Sequence, residues 1–136
     1  MKLPRARHKM DALPCSAIVY RAMARRKWID KSDKLHHVLP AAFMLRPAPK
    51  DPQGLSVDME SPRSCHRTLK ECFGVVSLHV GRVRDLGLDV VVDESPHANV
   101  TGLPREAENR TESEHLASLL ARQARIVPPD QYLDSA

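Results

Sequence analysis

The chain has 136 residues, enough for one domain with a buried core, and aromatic residues make up only 4% of it. Eleven prolines divide it into short segments, so its core must be built from Leu, Val, Ala and Met. No run approaches the roughly 18 apolar residues of a membrane helix, and the first residues lack the apolar block of a signal peptide. The composition therefore indicates a soluble, cytoplasmic protein with no membrane partner.

The net charge of +4 conceals an uneven distribution along the chain. Residues 1–50 carry twelve Lys and Arg against three Asp and Glu, a net charge of +9. Residues 51–136 carry nine against fourteen, a net charge of −5. This separation indicates an acidic partner, a nucleic acid or a protein, for the basic half. The alternative is that the two halves neutralise each other in the folded protein.

Residues 1–14 are basic, contain two prolines and lack an apolar period, which predicts a mobile basic leader before a single domain at residues 15–127. Residues 18–23 have both strand and helix character. The crowding of apolar residues at the start of this segment favours a strand that ends near Met23.

A basic cluster, Arg25, Arg26 and Lys27, precedes the single tryptophan, Trp28. Cations beside an exposed aromatic ring are typical of a nucleic-acid contact, in which charge and stacking act together. The alternative is that Trp28 is a core residue with solvated basic neighbours.

Residues 30–40 are predicted to be a polar loop that ends near His36 and His37. No Cys-x-x-Cys or His-x-x-x-His partner lies nearby, and Cys65-His66 is the only other candidate pair, so we expect no metal site. No cofactor is expected either. Residues 41–46 are predicted to form a strand, and residues 51–54 have the proline and glycine positions of a β-turn.

The central segment begins with residues 55–59, whose alternating apolar and polar residues predict a half-exposed strand. Ser61 and Pro62 are a typical helix start. The apolar stripe that follows predicts a helix of about three turns that ends at Gly74; its residues are Cys65, Leu69, Cys72 and Phe73.

The next segments are strand-rich. Residues 75–78 predict a strand, and Val80, Val83 and Leu86 predict a helical turn stopped by Gly87. The nearly continuous apolar run at residues 88–92 predicts a central strand covered on both faces, and residues 97–101 predict an edge strand.

The C-terminal part contains a predicted capping box at residues 111–114 that begins a helix. Its expected buried stripe is Leu116, Leu119, Leu120 and Ala124. The proline pair at residues 128–129 is expected to end this helix, and residues 128–136 form a short acidic tail. Together the elements predict an α+β fold, with a small mixed or antiparallel sheet of about five or six strands and two or three helices. The odd number of cysteines, three, argues against a disulfide framework.

Several short motifs follow one another between residues 18 and 103. They are Tyr20-Arg21, Trp28-Ile29, Ala42-Phe43, Gly54-Leu55-Ser56-Val57-Asp58, Leu86-Gly87-Leu88 and His97-Ala98. This pattern resembles a group of small uncharacterised bacterial proteins. The resemblance implies a bacterial context and one α+β unit, and it assigns no activity.

Two hypotheses for function follow. The first is a non-enzymatic binding module in which Arg25, Arg26, Lys27 and Trp28 contact nucleic acid or another acidic partner. No helix-turn-helix, zinc-finger or RNA-binding motif indicates that it reads a base sequence.

The second hypothesis is a nucleotide-handling enzyme in which Arg21, Ser56 and His97 converge on one pocket. An Arg on one strand and a Ser on another, both near a cleft, resemble the nucleotide-binding core of ADP-ribosyltransferase-like proteins. That resemblance implies a late-strand glutamate, for which this chain offers Asp93 or Glu94. His97 is the candidate general base.

The enzyme hypothesis has a structural alternative. In it Arg21 pairs with Asp58 or Asp89, Ser56 lies on the exposed face of its strand, and His97 caps a turn.

Overall fold

The computed structural model describes residues 12–133, which form a small α+β domain. In chain order its strands are β1 (Ile18–Ala22), β2 (Ile29–Asp30), β3 (His37–Val38), β4 (Leu55–Asp58), β5 (Val75–His79), β6 (Asp89–Glu94), β7 (His97–Thr101) and β8 (Arg125–Ile126). Its α-helices are α1 (Pro62–His66), α2 (Val80–Asp85) and α3 (Arg110–Gln123). Single 3₁₀ turns cover Arg26–Trp28, Pro40–Phe43 and Pro129–Gln131.

Six of these strands form one sheet in the order β6-β7-β4-β1-β5-β8, and every neighbouring pair is antiparallel. The short strands β2 and β3 form a separate hairpin. The predicted α+β fold, with an antiparallel sheet and a long C-terminal helix, is confirmed.

One face of the sheet carries the main hydrophobic core. The helix α3 and the 3₁₀ turn Pro40–Phe43 pack against each other over this face. The largest fully buried side chains of this core are Phe43, Met23, Leu55, Leu78 and Leu120. Because each such side chain contributes roughly 1.5–3 kcal/mol when removed from water, this face supplies most of the hydrophobic stabilisation.

The opposite face carries a smaller cluster. The helix α1 packs on β1, β4 and β5, and the segment after β8 closes over the same area. The buried members are Cys65, Val75, Val127 and Tyr132. The sheet is therefore covered on both faces, but unequally.

The structure confirms that residues 18–23 form a strand, since β1 covers Ile18–Ala22 and the buried Met23 follows it. It also confirms strands at residues 55–58 and 75–78. The short helix predicted after β5 is present as α2.

The expected positions of β6 and β7 in the sheet were wrong. The apolar run at residues 88–92 was expected in the centre, but β6 lies at the edge of the sheet and Val91 is exposed. Residues 97–101 were expected at the edge, yet β7 lies between β6 and β4, with Ala98 and Val100 fully buried. The apolar content of a strand indicates how much of it is buried. Its position in the sheet depends on which distant strands it pairs with.

The predicted helix start at Ser61 is confirmed, because the Ser61 hydroxyl accepts a hydrogen bond from the Ser64 N–H at 3.0 Å. The predicted three-turn length is wrong, since α1 ends at His66. The Thr68 hydroxyl donates to the Cys65 carbonyl at 2.7 Å, and this side-chain bond competes with helix continuation. Leu69 consequently lies outside the helix and is only half-buried.

The strand predicted at residues 41–46 was also wrong, because this region forms the 3₁₀ turn Pro40–Phe43. Pro40 occupies its first turn, where a fixed φ favours helical geometry and the missing N–H costs nothing. The turn buries Ala42 and Phe43. The polar loop expected at residues 30–40 contains the second strand of the β2–β3 hairpin.

The C-terminal helix is present, with a different start and end from those predicted. Its N-cap is Asn109, whose side-chain oxygen accepts from the Glu112 N–H at 3.1 Å, rather than Thr111. Its fully buried residues are Ser113, Ala117 and Leu120. Strand β8 follows before Pro128, so the proline pair does not end the helix.

Parts of the predicted leader and tail, residues 1–11 and 134–136, lie outside the described residues. Ala12 forms an antiparallel β-bridge with Val91, and Leu13 packs against the main core. Between residues 12 and 133, no helix has the length and apolar character needed to cross a membrane.

The predicted turn at residues 51–54 is present, with the Gly54 N–H donating to the Asp51 carbonyl at 3.4 Å. The Asp51 carboxylate accepts from Arg46 three times, from the backbone N–H at 2.8 Å, Nε at 3.1 Å and Nη2 at 2.7 Å. Burial opposes ionisation of Asp51, but these hydrogen bonds outweigh it, so the pKa of Asp51 lies below its ordinary value.

Asp51→Asn is expected to lower the free energy of unfolding by about 1–2 kcal/mol at pH 7, because the charge-assisted bonds are lost. A carboxylate with a lowered pKa contributes stability above about pH 4 and loses it as pH falls through the lowered pKa. The difference between wild type and variant should therefore shrink below about pH 4, as measured by urea unfolding at several pH values. A difference that stays constant down to acid pH would contradict this role.

Candidate functional site

The basic cluster predicted from the sequence lies in residues 25–38, which we name the basic arm. It consists of the 3₁₀ turn Arg26–Trp28 and the β2–β3 hairpin. Arg25, Arg26 and Lys27 are exposed at its start. The Arg26 guanidinium lies over the Phe73 ring, 5.2 Å from its centroid. Within residues 12–133 none of the three cations forms an ion pair.

The hairpin extends the positive charge of the cluster. Residues 25–38 carry five Lys and Arg against two Asp, a net charge of +3. The exposed side chains of the hairpin loop include Lys31, Lys34, Leu35, His36 and His37. Sequence reasoning missed this hairpin because each strand has only two residues, although the charge of the loop was visible.

Within residues 12–133, no acidic residue of the second half of the chain forms an ion pair with the basic arm. The described ion pairs of Arg46, Arg84 and Arg110 join residues four or five positions apart. These are local pairs, and none reaches residues 25–38. The charge of the arm therefore faces solvent.

Trp28 anchors the arm on the domain. It is half-buried and packs against the main core. One side of its ring meets the Arg21 guanidinium, 5.7 Å from the ring centroid. Since this packing supports the fold, a substitution at Trp28 would change the stability of the domain as well as any stacking on a base.

Arg21 acts as an internal clamp. Its Nε donates to the Ala42 carbonyl at 2.6 Å and its Nη1 donates to the Ser56 carbonyl at 2.9 Å. Burial lowers the pKa of Arg21 to about 10, although Asp51 favours the charged form. The cation is held by carbonyl dipoles and the Trp28 ring, and it joins β1 to β4 and to the turn Pro40–Phe43.

Arg21→Lys is expected to lower the free energy of unfolding by about 1–3 kcal/mol, because an ammonium group on a single stem cannot reproduce the fork of two bonds. Urea unfolding monitored by circular dichroism measures the effect. A lysine variant as stable as wild type would show that the two carbonyls do not need the guanidinium.

The side chains of the three residues of the enzyme hypothesis do not converge, although the Arg21 guanidinium reaches the backbone carbonyl of Ser56. Directly opposed residues of an antiparallel pair share one face of the sheet. Asp58 is opposite both Tyr20 and His97. Ser56, two positions before Asp58, lies on that same face. Arg21 follows Tyr20 directly and therefore points to the other face.

His97 and Ser56 have ordinary surroundings. His97 Nδ1 lies 3.2 Å from Asp93 Oδ2 near the turn between β6 and β7, and both side chains are partly exposed. Ser56 is exposed on its strand, as the structural alternative expected. Cavities of about 490 and 220 Å³ lie elsewhere, and neither Arg21, Ser56 nor His97 lines them.

The aspartates proposed as partners of Arg21 are engaged otherwise. The buried Asp58 carboxylate accepts from the Ser64 hydroxyl at 2.6 Å and from the Glu60 N–H at 2.7 Å, which fixes the start of α1. Its burial differs from the half-exposed strand that the alternation at residues 55–59 predicted. Asp89 pairs with Arg84, whose Nε lies 2.8 Å from Asp89 Oδ1.

The glycine of the motif at residues 54–58 also has a structural reason. Gly54 has a φ of +123°, and a Cβ there would collide with the carbonyl oxygen of Val100. The motif therefore specifies a close strand contact and a helix start.

Among the described residues, no group of three or more His, Cys, Asp or Glu is arranged to hold a metal ion. No protein-family model matches the chain, and neither a curated protein nor a solved structure shows significant similarity to it.

Proposed function

We propose that this protein is a small, non-enzymatic module that binds nucleic acid through the basic arm. The observation that carries the proposal is that Arg25, Arg26 and Lys27 are exposed and form no ion pair within residues 12–133. Exposed cations that form no ion pair with the described residues attract an external anion, and a phosphate backbone presents many anions in a row.

Phosphate neutralisation is the proposed mechanism. Each Lys or Arg that contacts a phosphate displaces a condensed counterion, which makes the affinity independent of base sequence and strongly dependent on salt. The hairpin loop adds the exposed Lys31 and Lys34 to the same arm. The free thiols of Cys15, Cys65 and Cys72 are consistent with the reducing cytoplasm, where we place this module.

Fluorescence anisotropy of labelled single-stranded and duplex oligonucleotides tests the proposal. Binding is expected at about 50 mM salt and should weaken steeply towards about 200 mM. Absence of binding at the lower salt concentration would refute it. Equal or tighter binding of polyglutamate, an anionic polypeptide without phosphates, would instead indicate an acidic protein as the partner.

A further inference from the structure

The cavity of about 490 Å³ lies between the basic arm and the C-terminal half of α3. Its lining residues are His36, His37, Val38, Pro40, Ser118, Ala121, Arg122, Ala124 and Ile126. Its volume falls in the range of about 300–1,000 Å³ that is usual for small-molecule sites. It also differs in position from the exposed cluster Arg25–Lys27, none of whose residues line it.

The polar side chains that line this cavity are those of Arg122, His36, His37 and Ser118, and the first three supply N–H donors. Arg122 is cationic, and His36 and His37 each offer at least one ring N–H even when neutral. No carboxylate lines the cavity. Within the described range Arg122 and both histidines form no ion pair and no side-chain hydrogen bond. These donors are therefore available to a ligand that offers several acceptor oxygens.

The remaining lining is apolar except for Ser118, whose hydroxyl donates to the His115 carbonyl at 2.9 Å. Val38 and Pro40 come from the arm side, and Ala121, Ala124 and Ile126 come from α3 and β8. Such a surface accepts an apolar or aromatic group but gives it little directional contact. A ligand that combines an anionic head with a flat, weakly polar body matches both parts of the lining.

We infer that this cavity binds a phosphate monoester joined to a nucleoside, through Arg122, His36 and His37. The carbonyl end of α3 disfavours an anion, and Arg122, in the last turn of that helix, offsets this effect. Arg122 is therefore the decisive residue. The phosphate can belong to a free mononucleotide or to the end of a nucleic-acid strand. The inference goes beyond the proposed function, since it does not require Arg25, Arg26 or Lys27.

Isothermal titration of the full chain with adenosine 5′-monophosphate tests the inference. Binding is expected, and adenosine without a phosphate should bind at least about tenfold more weakly. Arg122→Gln should weaken nucleotide binding by about tenfold or more, and the double variant His36→Gln/His37→Gln should weaken it as well. Arg125→Gln is the matched control, because Arg125 is exposed nearby and does not line the cavity.

The outcomes are distinct. Absence of nucleotide binding, or equal binding by wild type and Arg122→Gln, overturns the inference. If the Arg25→Ala/Arg26→Ala/Lys27→Ala variant still binds the nucleotide, the site in the cavity is independent of the nucleic-acid contact of the proposed function. In that variant, tighter binding of a 5′-phosphorylated oligonucleotide than of its 5′-hydroxyl form identifies the strand end as the source of the phosphate. Nucleotide binding without that difference identifies the free nucleotide.

Discussion

Phe43→Ala is expected to lower the free energy of unfolding by about 3–5 kcal/mol. Phe43 is fully buried in the 3₁₀ turn Pro40–Phe43, which packs against α3. The same turn supplies the Ala42 carbonyl to Arg21, so a cavity at Phe43 also loosens the clamp between this turn and β1. Urea unfolding at neutral pH measures the loss, which is a large part of the usual domain stability of roughly 5–15 kcal/mol.

Leu69→Ala is the matched control for this prediction. From the apolar stripe alone Leu69 belongs to a buried helix, but it is half-buried beyond the end of α1. Its substitution should cost about 1 kcal/mol, clearly less than that of Phe43. Equal losses for the two variants would contradict the core described here, as would a urea midpoint for Phe43→Ala that matches wild type.

The triple variant Arg25→Ala/Arg26→Ala/Lys27→Ala is expected to flatten the salt dependence of oligonucleotide binding. The slope of log affinity against log salt is about −0.9 for each phosphate contact on a duplex and about −0.7 on a single strand. Loss of three contacts should therefore reduce the slope by about two to three units. Anisotropy titrations at several salt concentrations measure it, and the three exposed side chains can be removed with the fold intact.

A second triple variant separates local contact from total charge. Arg67, Lys70 and Arg82 are exposed outside the basic arm, and their replacement by Ala removes the same three charges. This control should retain a slope close to that of wild type. Equal flattening in both variants would show that net charge, rather than the basic arm, governs binding. An unchanged slope in the first variant would leave the arm without the proposed role.

Features set by neighbouring residues were predictable from the sequence, whereas several features set by competing or distant contacts were not. The start of α1 was predictable because Ser61 and Pro62 act on their own turn of chain. The end of that helix was not, since Thr68 bonds back to the Cys65 carbonyl where the apolar stripe continues. Likewise, the proline at residue 40 favours a 3₁₀ turn, but the apolar residues after it led to the prediction of a strand.

The candidate site shows the same division. The basic cluster Arg25–Lys27 was visible in the sequence, because charge is a property of each residue. The sequence did not show whether those charges are neutralised, because ion pairs depend on which segments of the chain meet. For Arg21, the residue type was clear, but only the pairing of β1 with β4 showed that it points away from the face of Ser56 and His97.

The sequence by itself determined the α+β class, the main strand segments and the uneven charge, since strand periods, helix starts and charges are encoded within a few neighbouring residues. Only the tertiary structure decided that β6 lies at the sheet edge and β7 inside it, because strand order is fixed by contacts between residues far apart in the chain. It also decided that Arg21 binds two carbonyls within the domain while Arg25, Arg26 and Lys27 face solvent. The physical reason is that side-chain direction and neutralisation depend on the packing of distant segments, which a local pattern does not contain.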